Sequence, residues 1–330
     1  MQFSKPFPDE LAITHLYRNL ALNDTKGSRV HVRSASFAKV TRSQCPSHCP
    51  HPWTALYLHQ IMAHLSGMTP QTYRAQHTTL TLTRHWQNIY SEMPVKHSKV
   101  NVYAVDQFCQ ASTASASPFR LCQQCRDEDL HSYVMTYWHR EHHIAGSDIC
   151  PKHQTPLEQV GWHRAFSAPN PLTVQGELPG EALILASSHP ILVRYQKIAL
   201  RAMRKPGLIQ YSHAHEHLLK RAIKMGLCRR QLSHTGTSSY WQHEIPQYVY
   251  SQLPRAWLGH HFATDFLDPT LMPPDTCQDS YHLGLQRLGH SGSARPMFLL
   301  LALATLFEST EQICALLFDQ IMSPCIRTKN

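Results

Sequence analysis

Two short pairs of potential metal ligands constrain this chain more than any other feature. Cys122 and Cys125 are separated by two residues, and so are Cys150 and His153, with 24 residues between the pairs. A two-residue gap lets a tight turn direct both side chains at one ion, and two such turns supply a tetrahedron of ligands. Thiolate ligands favour zinc over magnesium or calcium. The pattern therefore predicts one structural zinc ion with every position taken by the protein.

The same cysteines could instead be unrelated residues or a redox Cys-x-x-Cys pair. Neither alternative would be expected to have a matching second half-site. A further group, Cys45 and Cys49 with His48 and His51, also resembles a metal site. No second pair follows it at a suitable distance. We therefore favour a loop with incidental thiols there and expect a single zinc ion per chain.

The segment between the two ligand pairs, residues 130–143, is predicted to be helical. Tyr137 and Trp138 are expected to pack beneath the zinc. His139 is expected to bond to a ligand or a backbone carbonyl without ligating the ion itself, with a surface position as the alternative. Surface positions are expected for the two remaining histidines, His142 and His143.

Composition bounds the partners and the compartment. The chain has 330 residues, with 31 Lys and Arg against 22 Asp and Glu, a formal charge of +9. This balance favours a polyanionic partner such as DNA or RNA, although a basic protein with no special partner is the alternative. The longest apolar run, residues 297–307, is far shorter than the roughly 20 residues that span a bilayer. We therefore expect a soluble, cytoplasmic protein with thiols rather than disulfides and no membrane partner.

A helix–turn–helix pattern lies in the N-terminal region. Residues 53–65 are predicted to form an apolar helix, and Thr69 and Pro70 suit the N-cap and first position of a second helix ending near residue 77. Gly67 permits a left-handed turn between them, and Tyr73 should pack inward. Such a unit can read DNA or can simply pack against protein. The candidates for contact with nucleic acid or a partner are Gln71, Thr72, Arg74, His77 and Arg84.

Loop-rich stretches at residues 111–118 and 167–180 divide the chain. A helix capped by Asp9 is predicted at residues 7–22. The fold class is mainly α, with an N-terminal helix–turn–helix domain, a zinc-finger-containing domain and C-terminal helices. The three predicted regions are an N-terminal helical region at 1–110, a zinc-binding segment at 111–166 and a C-terminal helical region at 167–330.

The C-terminal region is predicted to contain helices at residues 191–205, 213–227 and 295–322. Ser309 or Thr310 can cap the second half of the last stretch, which has a long apolar face. Burial of this face in the chain's own core is the default interpretation. Three alternating histidines near the start of the second stretch would scatter around a helix, so a solvated helix start is preferred to a metal site: His213, His215 and His217.

The residues around the zinc ligands resemble the TniQ/TnsD family of transposition proteins. The resemblance is carried by FRLCQQC at residues 119–125, YWHR at 137–140 and ICPKH at 149–153. The opening residues 8–11, PDEL, are also similar to the N-terminal helix of that family. Further matching positions are Leu16, Arg18, Pro156 and Leu157, with weaker ones at Gly226, Trp257, Arg295, Pro296 and Met297.

The resemblance implies a function in selecting target sites for transposons. Some members bind an attachment sequence directly, whereas others bind a CRISPR guide-RNA surveillance complex (Cascade), often as a head-to-tail homodimer. Both kinds recruit an AAA+ ATPase. Some members carry a second cysteine pair after the Cys-x-x-His turn, but residues 158–166 contain none. This departure argues against a second zinc finger, and the short chain favours the Cascade adaptor.

We therefore expect a bacterial adaptor that links a targeting nucleic acid or Cascade to the ATPase of the transposition machinery. A direct, sequence-specific DNA-binding target selector is the alternative, and a zinc-dependent hydrolase is a more distant one. An enzyme is not expected because the chain has no His-Glu-x-x-His motif and no glycine-rich phosphate loop. The apolar face of residues 295–322 is predicted to pair with residues 1–100 of a second copy.

Overall fold

The computed structural model describes seven segments of the chain. They belong to two compact units, Met1–Gly180 and Glu181–Asn330. Within the described residues, twelve α-helices and two small two-stranded sheets confirm the mainly α fold class. The described segments are residues 4–22, 55–83, 118–161, 176–204, 211–232, 239–261 and 296–318.

The described part of the first unit contains five α-helices and one antiparallel sheet. Its hydrophobic core contains Leu11, Leu16 and Tyr73 from the N-terminal region. Phe119 and Trp138 from the zinc-binding region belong to the same core. The predicted N-terminal and zinc-binding regions therefore share one hydrophobic core. The elements are α1 (Ala12–Leu22), α2 (Ala55–Leu65), α3 (Pro70–His77), α4 (Leu80–Thr83), β1 (Phe119–Leu121), α5 (Gln123–Tyr133) and β2 (Glu158–Val160).

The predicted N-terminal cap at Asp9 was wrong. Helix α1 begins at Ala12, and Asp9 lies before it with a φ of 58°. The Asp9 carboxylate instead accepts hydrogen bonds from Arg140 Nε at 2.8 Å and from the Glu141 backbone N–H at 2.9 Å. A carboxylate committed to these distant donors is not available to cap the helix. Asp9 thus ties the start of the chain to the segment between the metal-ligand pairs.

The turn between α2 and α3 follows the sequence prediction closely. Gly67 has a φ of 68°, the left-handed conformation that glycine adopts without a Cβ clash. Thr69 is the N-cap of α3, with its hydroxyl accepting from the Thr72 N–H at 3.1 Å, and Pro70 is the first helical residue. The Tyr73 side chain is completely buried. These contacts define a tight helix pair and do not by themselves define a DNA-binding unit.

The helix expected over residues 130–143 is not present. Helix α5 lies earlier, and its C-cap residue Val134 has a φ of 60°, so the helical path ends there. The chain then extends until His139, which forms a β-bridge with Glu10. A short 3₁₀ turn, Arg140–His143, follows. Pairing with the N-terminal segment therefore replaces the expected helix.

Among its described residues, the second unit has seven α-helices and one pair of antiparallel strands. Helix α11 (Pro296–Leu306) packs against α7 (Pro190–Arg204), α8 (Tyr211–Lys224) and α9 (Ile245–Gln252). The three predicted C-terminal helical stretches are present, the last as two helices, and Ser309 caps the second by accepting from the Gln312 N–H at 3.2 Å. The pair of strands was not predicted. The elements are α6 (Glu181–Ser187), α7 (Pro190–Arg204), α8 (Tyr211–Lys224), β3 (Cys228–Leu232), β4 (Ser239–His243), α9 (Ile245–Gln252), α10 (Arg255–His261), α11 (Pro296–Leu306) and α12 (Thr310–Phe318).

The apolar face of α11 and α12 is buried in the chain itself. Leu300, Leu301 and Ala304 of α11 and Ile313 and Leu317 of α12 are each at most 2% exposed. This burial supports the default interpretation of an ordinary core. Among the described helices, none has the length and apolarity to cross a membrane. Several features predicted from the sequence lie wholly or mostly outside the described residues: the cysteine group at residues 45–51, the contact candidate Arg84, the loop-rich stretches at 111–118 and 167–180, and the end of the apolar face at Ile321.

Candidate metal centre

The two predicted ligand pairs are brought together by the small sheet of the first unit. Strands β1 and β2 pair antiparallel, with Leu121 opposite Glu158. Cys122 directly follows β1, and Cys125 lies in the first turn of α5. The second pair lies in a turn that precedes β2, in which the Cys150 N–H donates to the Thr155 carbonyl at 2.8 Å. Strand pairing therefore positions both turns at the same end of the sheet.

The four predicted ligands form one cluster. Their ligand atoms all lie within 4.8 Å of one another. His153 Nδ1 is 3.4 Å from the Cys122 sulfur, 3.3 Å from that of Cys125 and 3.8 Å from that of Cys150. The Cys125 and Cys150 sulfurs are 3.8 Å apart. The cluster could hold a metal ion.

The spacing of these atoms fits zinc. With Zn–S near 2.3 Å and Zn–N near 2.0–2.1 Å, a tetrahedron has S···S edges of about 3.8 Å and S···N edges of about 3.6 Å. The observed distances of 3.3 to 3.8 Å lie close to these edges. The three cysteines are at most 5% exposed. A buried set of three sulfurs and one imidazole is the donor chemistry of a closed structural site.

The cysteines of the cluster shift the pKa values of one another's thiols. Hydrogen bonds with the Cys125 and Cys150 thiols lower the pKa of Cys122. The hydrogen bond with the Cys122 thiol, and to a smaller extent that with the Cys150 thiol, raises the pKa of Cys125. The cluster thus favours one thiolate at the expense of its neighbour. A divalent cation would stabilise all three thiolates, with release of their protons.

His153 is oriented by residues outside the cluster. Its Nε2 is 3.1 Å from Glu128 Oε1, and a carboxylate only accepts, so this nitrogen carries the proton. The lone pair is then on Nδ1, which faces the sulfurs. Glu128 is held in turn by Lys152 Nζ at 2.5 Å. A carboxylate behind a histidine ligand is the usual support of a zinc site.

His142 contacts the cluster, although a surface position was expected for it from the sequence. The residue is 3% exposed, and its Nε2 lies 3.5 Å from the Cys125 sulfur and 3.6 Å from the Cys150 sulfur. Burial lowers the pKa of His142 well below its ordinary value, so the ring is neutral at pH 7. The surface prediction for His143 was also wrong, since that residue is 3% exposed. Both residues lie in the 3₁₀ turn Arg140–His143, which was not predicted and in which both side chains are buried.

His139 stays outside the cluster of ligand atoms. Its Nε2 bonds to Asp129 Oδ2 at 2.8 Å, and its ring stacks on Tyr137 with centroids 4.4 Å apart. Trp138 packs on Phe119 in the hydrophobic core, with centroids 5.1 Å apart. Trp138 therefore packs against β1 rather than beneath the metal cluster, and Tyr137 packs on His139.

The contact candidates on α3 are not all at the surface. Arg74 and His77 were expected to point outward, but they are 2% and 3% exposed. The His77 Nδ1 atom instead lies 2.8 Å from the Glu10 carbonyl, which draws the ring into the core. Thr72 is exposed and Gln71 is partly exposed. These two residues remain the accessible candidates on this helix.

A cavity of about 280 Å³ borders the cluster at Cys125 and His142. Solvent therefore reaches one side of these residues. Its lining combines carboxylates with basic groups, among them Lys152 and His139. The acidic lining residues are Asp9, Glu128, Asp129 and Glu141.

The fold and the cluster define a class: a mainly helical domain that contains a Cys₃His cluster able to hold a metal ion. The family follows from comparison with known proteins. Residues 2–157 match the TniQ family, a region of just under half the chain that includes all four cluster residues. The chain therefore carries a TniQ domain over these residues. A search of curated proteins found no match to the chain.

Proposed function

We propose that this protein is an adaptor in transposition target selection. One surface would hold the targeting nucleic acid or a guide-RNA surveillance complex, and another would hold the AAA+ ATPase. The observation that carries the proposal is the TniQ match over residues 2–157, because family membership implies a transposition-related role in target selection. The net charge of +9 is consistent with a nucleic-acid-containing partner.

We further propose that the Cys₃His cluster holds one zinc ion with a structural role. Four protein ligands would complete the tetrahedron and leave no position for a substrate or a reactive water. The proposed function is therefore recruitment rather than catalysis. Zinc would act through folding, because it binds a site that exists only when the two turns are brought together.

The contact surface of α3 is proposed to include Gln71 and Thr72, which are the accessible candidates there. The double variant Gln71→Ala/Thr72→Ala tests this surface, with the exposed Gln252→Ala on α9 of the second unit as its control. Weaker capture of partners by the double variant alone is the expected result. Equal capture by all three proteins would remove α3 from the interface.

Affinity purification of the full chain from cells that contain its transposon tests the adaptor proposal. Co-purification of the ATPase with a guide-RNA complex is the expected result. Co-purification of the ATPase with one duplex sequence and no guide RNA would favour the alternative, a direct DNA-binding selector. Recovery of neither a nucleic acid nor the ATPase would contradict target selection. The captured nucleic acid should decrease between about 50 and 200 mM salt, because phosphate contacts release counterions.

The homodimer proposal now rests on the family resemblance alone. The apolar face that motivated it is buried within the second unit, as Leu300 and Ile313 show. Light scattering of the purified chain should give about twice the chain mass of 37.8 kDa if the head-to-tail pair forms. A mass of one chain, both free and within the purified complex, would remove the proposal.

A further inference from the structure

Two histidines on α8 meet on one side of the helix. His213 and His217 are one turn apart, and residues at this spacing share a helix face. Their Nε2 atoms are 3.0 Å apart, and their ring centroids are 4.3 Å apart. Both side chains are partly exposed. The histidines of this stretch were expected from the sequence to scatter, which holds for His215 but not for this pair.

The ring of His213 is held in one orientation. Its Nδ1 lies 3.0 Å from the Leu316 carbonyl on α12. A carbonyl oxygen only accepts hydrogen bonds, so the Nδ1 atom carries the proton and the Nε2 atom presents its lone pair to His217. Histidines that ligate metals characteristically donate their other ring N–H to a carbonyl or a carboxylate. His213 is therefore arranged as a ligand before any ion arrives.

The separation of the two nitrogens matches that of neighbouring ligands on one ion. With metal–nitrogen bonds of about 2.0–2.1 Å, two imidazole nitrogens at about 90° to 110° are roughly 2.9 to 3.4 Å apart. The observed 3.0 Å lies within that range. Imidazole ligands suit Zn²⁺, Cu²⁺ and Ni²⁺, whereas Mg²⁺ and Ca²⁺ prefer oxygen.

We propose that His213 and His217 form a two-histidine site for a late first-row divalent transition metal ion. His217 takes the tautomer with its proton on Nδ1, which frees Nε2 for the ion, and water completes the coordination. In the absence of metal, the His217 Nε2–H donates to His213 Nε2. Binding exchanges this hydrogen bond for two metal–nitrogen bonds without net proton release. The site is independent of the proposed role in transposition and of the Cys₃His cluster.

Calorimetric titration of the full, zinc-loaded chain with Ni²⁺ at pH 7.5 tests the pair. His217→Ala removes one ligand, and His217→Gln does so with a polar side chain that preserves helix packing. His215→Ala is the matched control, because this histidine lies on the same helix roughly 200° around from both ligands. Other histidines contribute equally to all variants, so the difference between variants isolates the pair.

Wild type and His215→Ala should bind one more Ni²⁺ per chain than either His217 variant, or bind it at least about tenfold more tightly. Ni²⁺ should also raise the unfolding temperature of the first two proteins more than that of the His217 variants, since it binds only the folded pair. Both His217 variants must first show the circular dichroism spectrum of the wild type. Equal Ni²⁺ stoichiometry and affinity in His215→Ala and His217→Gln would show that the pair is a hydrogen bond only.

Discussion

The Nε2 atom of His142 lies 3.5 Å from the sulfur of Cys125, and both residues are buried. A thiolate is an acceptor only, so the ring would direct its N–H at the sulfur once an ion is bound. Three thiolates and one Zn²⁺ leave one excess negative charge in a buried site. A hydrogen-bond donor at this position stabilises that charge.

Replacing His142 should therefore loosen the ion without removing a ligand. We expect His142→Leu to release zinc to a chromogenic chelator about 10-fold faster than wild type, the lower end of the effect of lost outer partners. His142→Gln, which keeps an N–H donor, should fall between the two. The control is His143→Leu, an equally buried histidine whose ring bonds to the Arg120 N–H and the His139 carbonyl. Equal release rates in His142→Leu and His143→Leu would contradict the assigned contact.

Glu128 should set the affinity of the site from the surface. Glu128→Gln weakens the acceptor behind His153 Nε2, so we expect about a 10-fold loss of zinc affinity in a competition assay. Asp127→Asn is the control, because its exposed carboxylate pairs with Arg126 at 3.8 Å. An equal change of zinc affinity in both variants would show that Glu128 does not orient His153.

The ion pair between Arg18 and Glu10 should matter far more than a surface pair. Their atoms are 2.6 Å apart, and the side chains are 6% and 1% exposed. Arg18→Ala leaves a buried carboxylate without its cation, which costs about 3–5 kcal/mol in the free energy of unfolding. Lys220→Ala breaks the exposed pair with Glu216 and should change little. Urea unfolding of both variants measures the difference, and similar midpoints would refute it.

Acid should destabilise the first unit through its buried histidines. Burial lowers the pKa of His15 to about 3 and that of His77 to about 4. In the unfolded chain their pKa is about 6.5. Between about pH 6.5 and 4 the unfolded state therefore binds more protons, and stability falls as the pH falls.

The expected slope from these two residues approaches about 2.7 kcal/mol per pH unit, two protons at about 1.36 each. Urea unfolding at pH 7.5, 6 and 5 measures it. His15→Gln should reduce the slope by about one proton, whereas His64→Gln, at an exposed position of α2, should leave it unchanged. An identical slope in wild type and His15→Gln would show that burial of this ring is not coupled to protonation.

Features encoded by local spacing could be predicted from the sequence. The Cys-x-x-Cys and Cys-x-x-His pairs depend on tight turns, and the Thr69–Pro70 start of α3 depends on cap chemistry within a few residues. Asp9 shows the opposite case. Its neighbours suggest a helix cap, but its partners Arg140 and Glu141 lie about 130 residues away.

The contacts of His142 and His213 could not be predicted for the same reason. The approach of His142 to Cys125 depends on Val134 ending α5, a left-handed conformation that is uncommon for a branched residue. The approach of His213 to the Leu316 carbonyl depends on how α8 packs against α12. Tertiary packing determines the positions of these two histidines, and local sequence patterns do not predict such packing.

Metal analysis of the purified full chain, after dialysis against a mild chelator that clears weak sites, tests the assignment of the cluster most directly. We predict one zinc ion per chain in wild type and in Cys228→Ser, a buried thiol of the second unit. Cys150→Ser should lose the ion and much of its soluble yield, because metal binding and folding are coupled. Wild type without zinc, or soluble Cys150→Ser with a full equivalent, would contradict the assignment of the cluster as a zinc site.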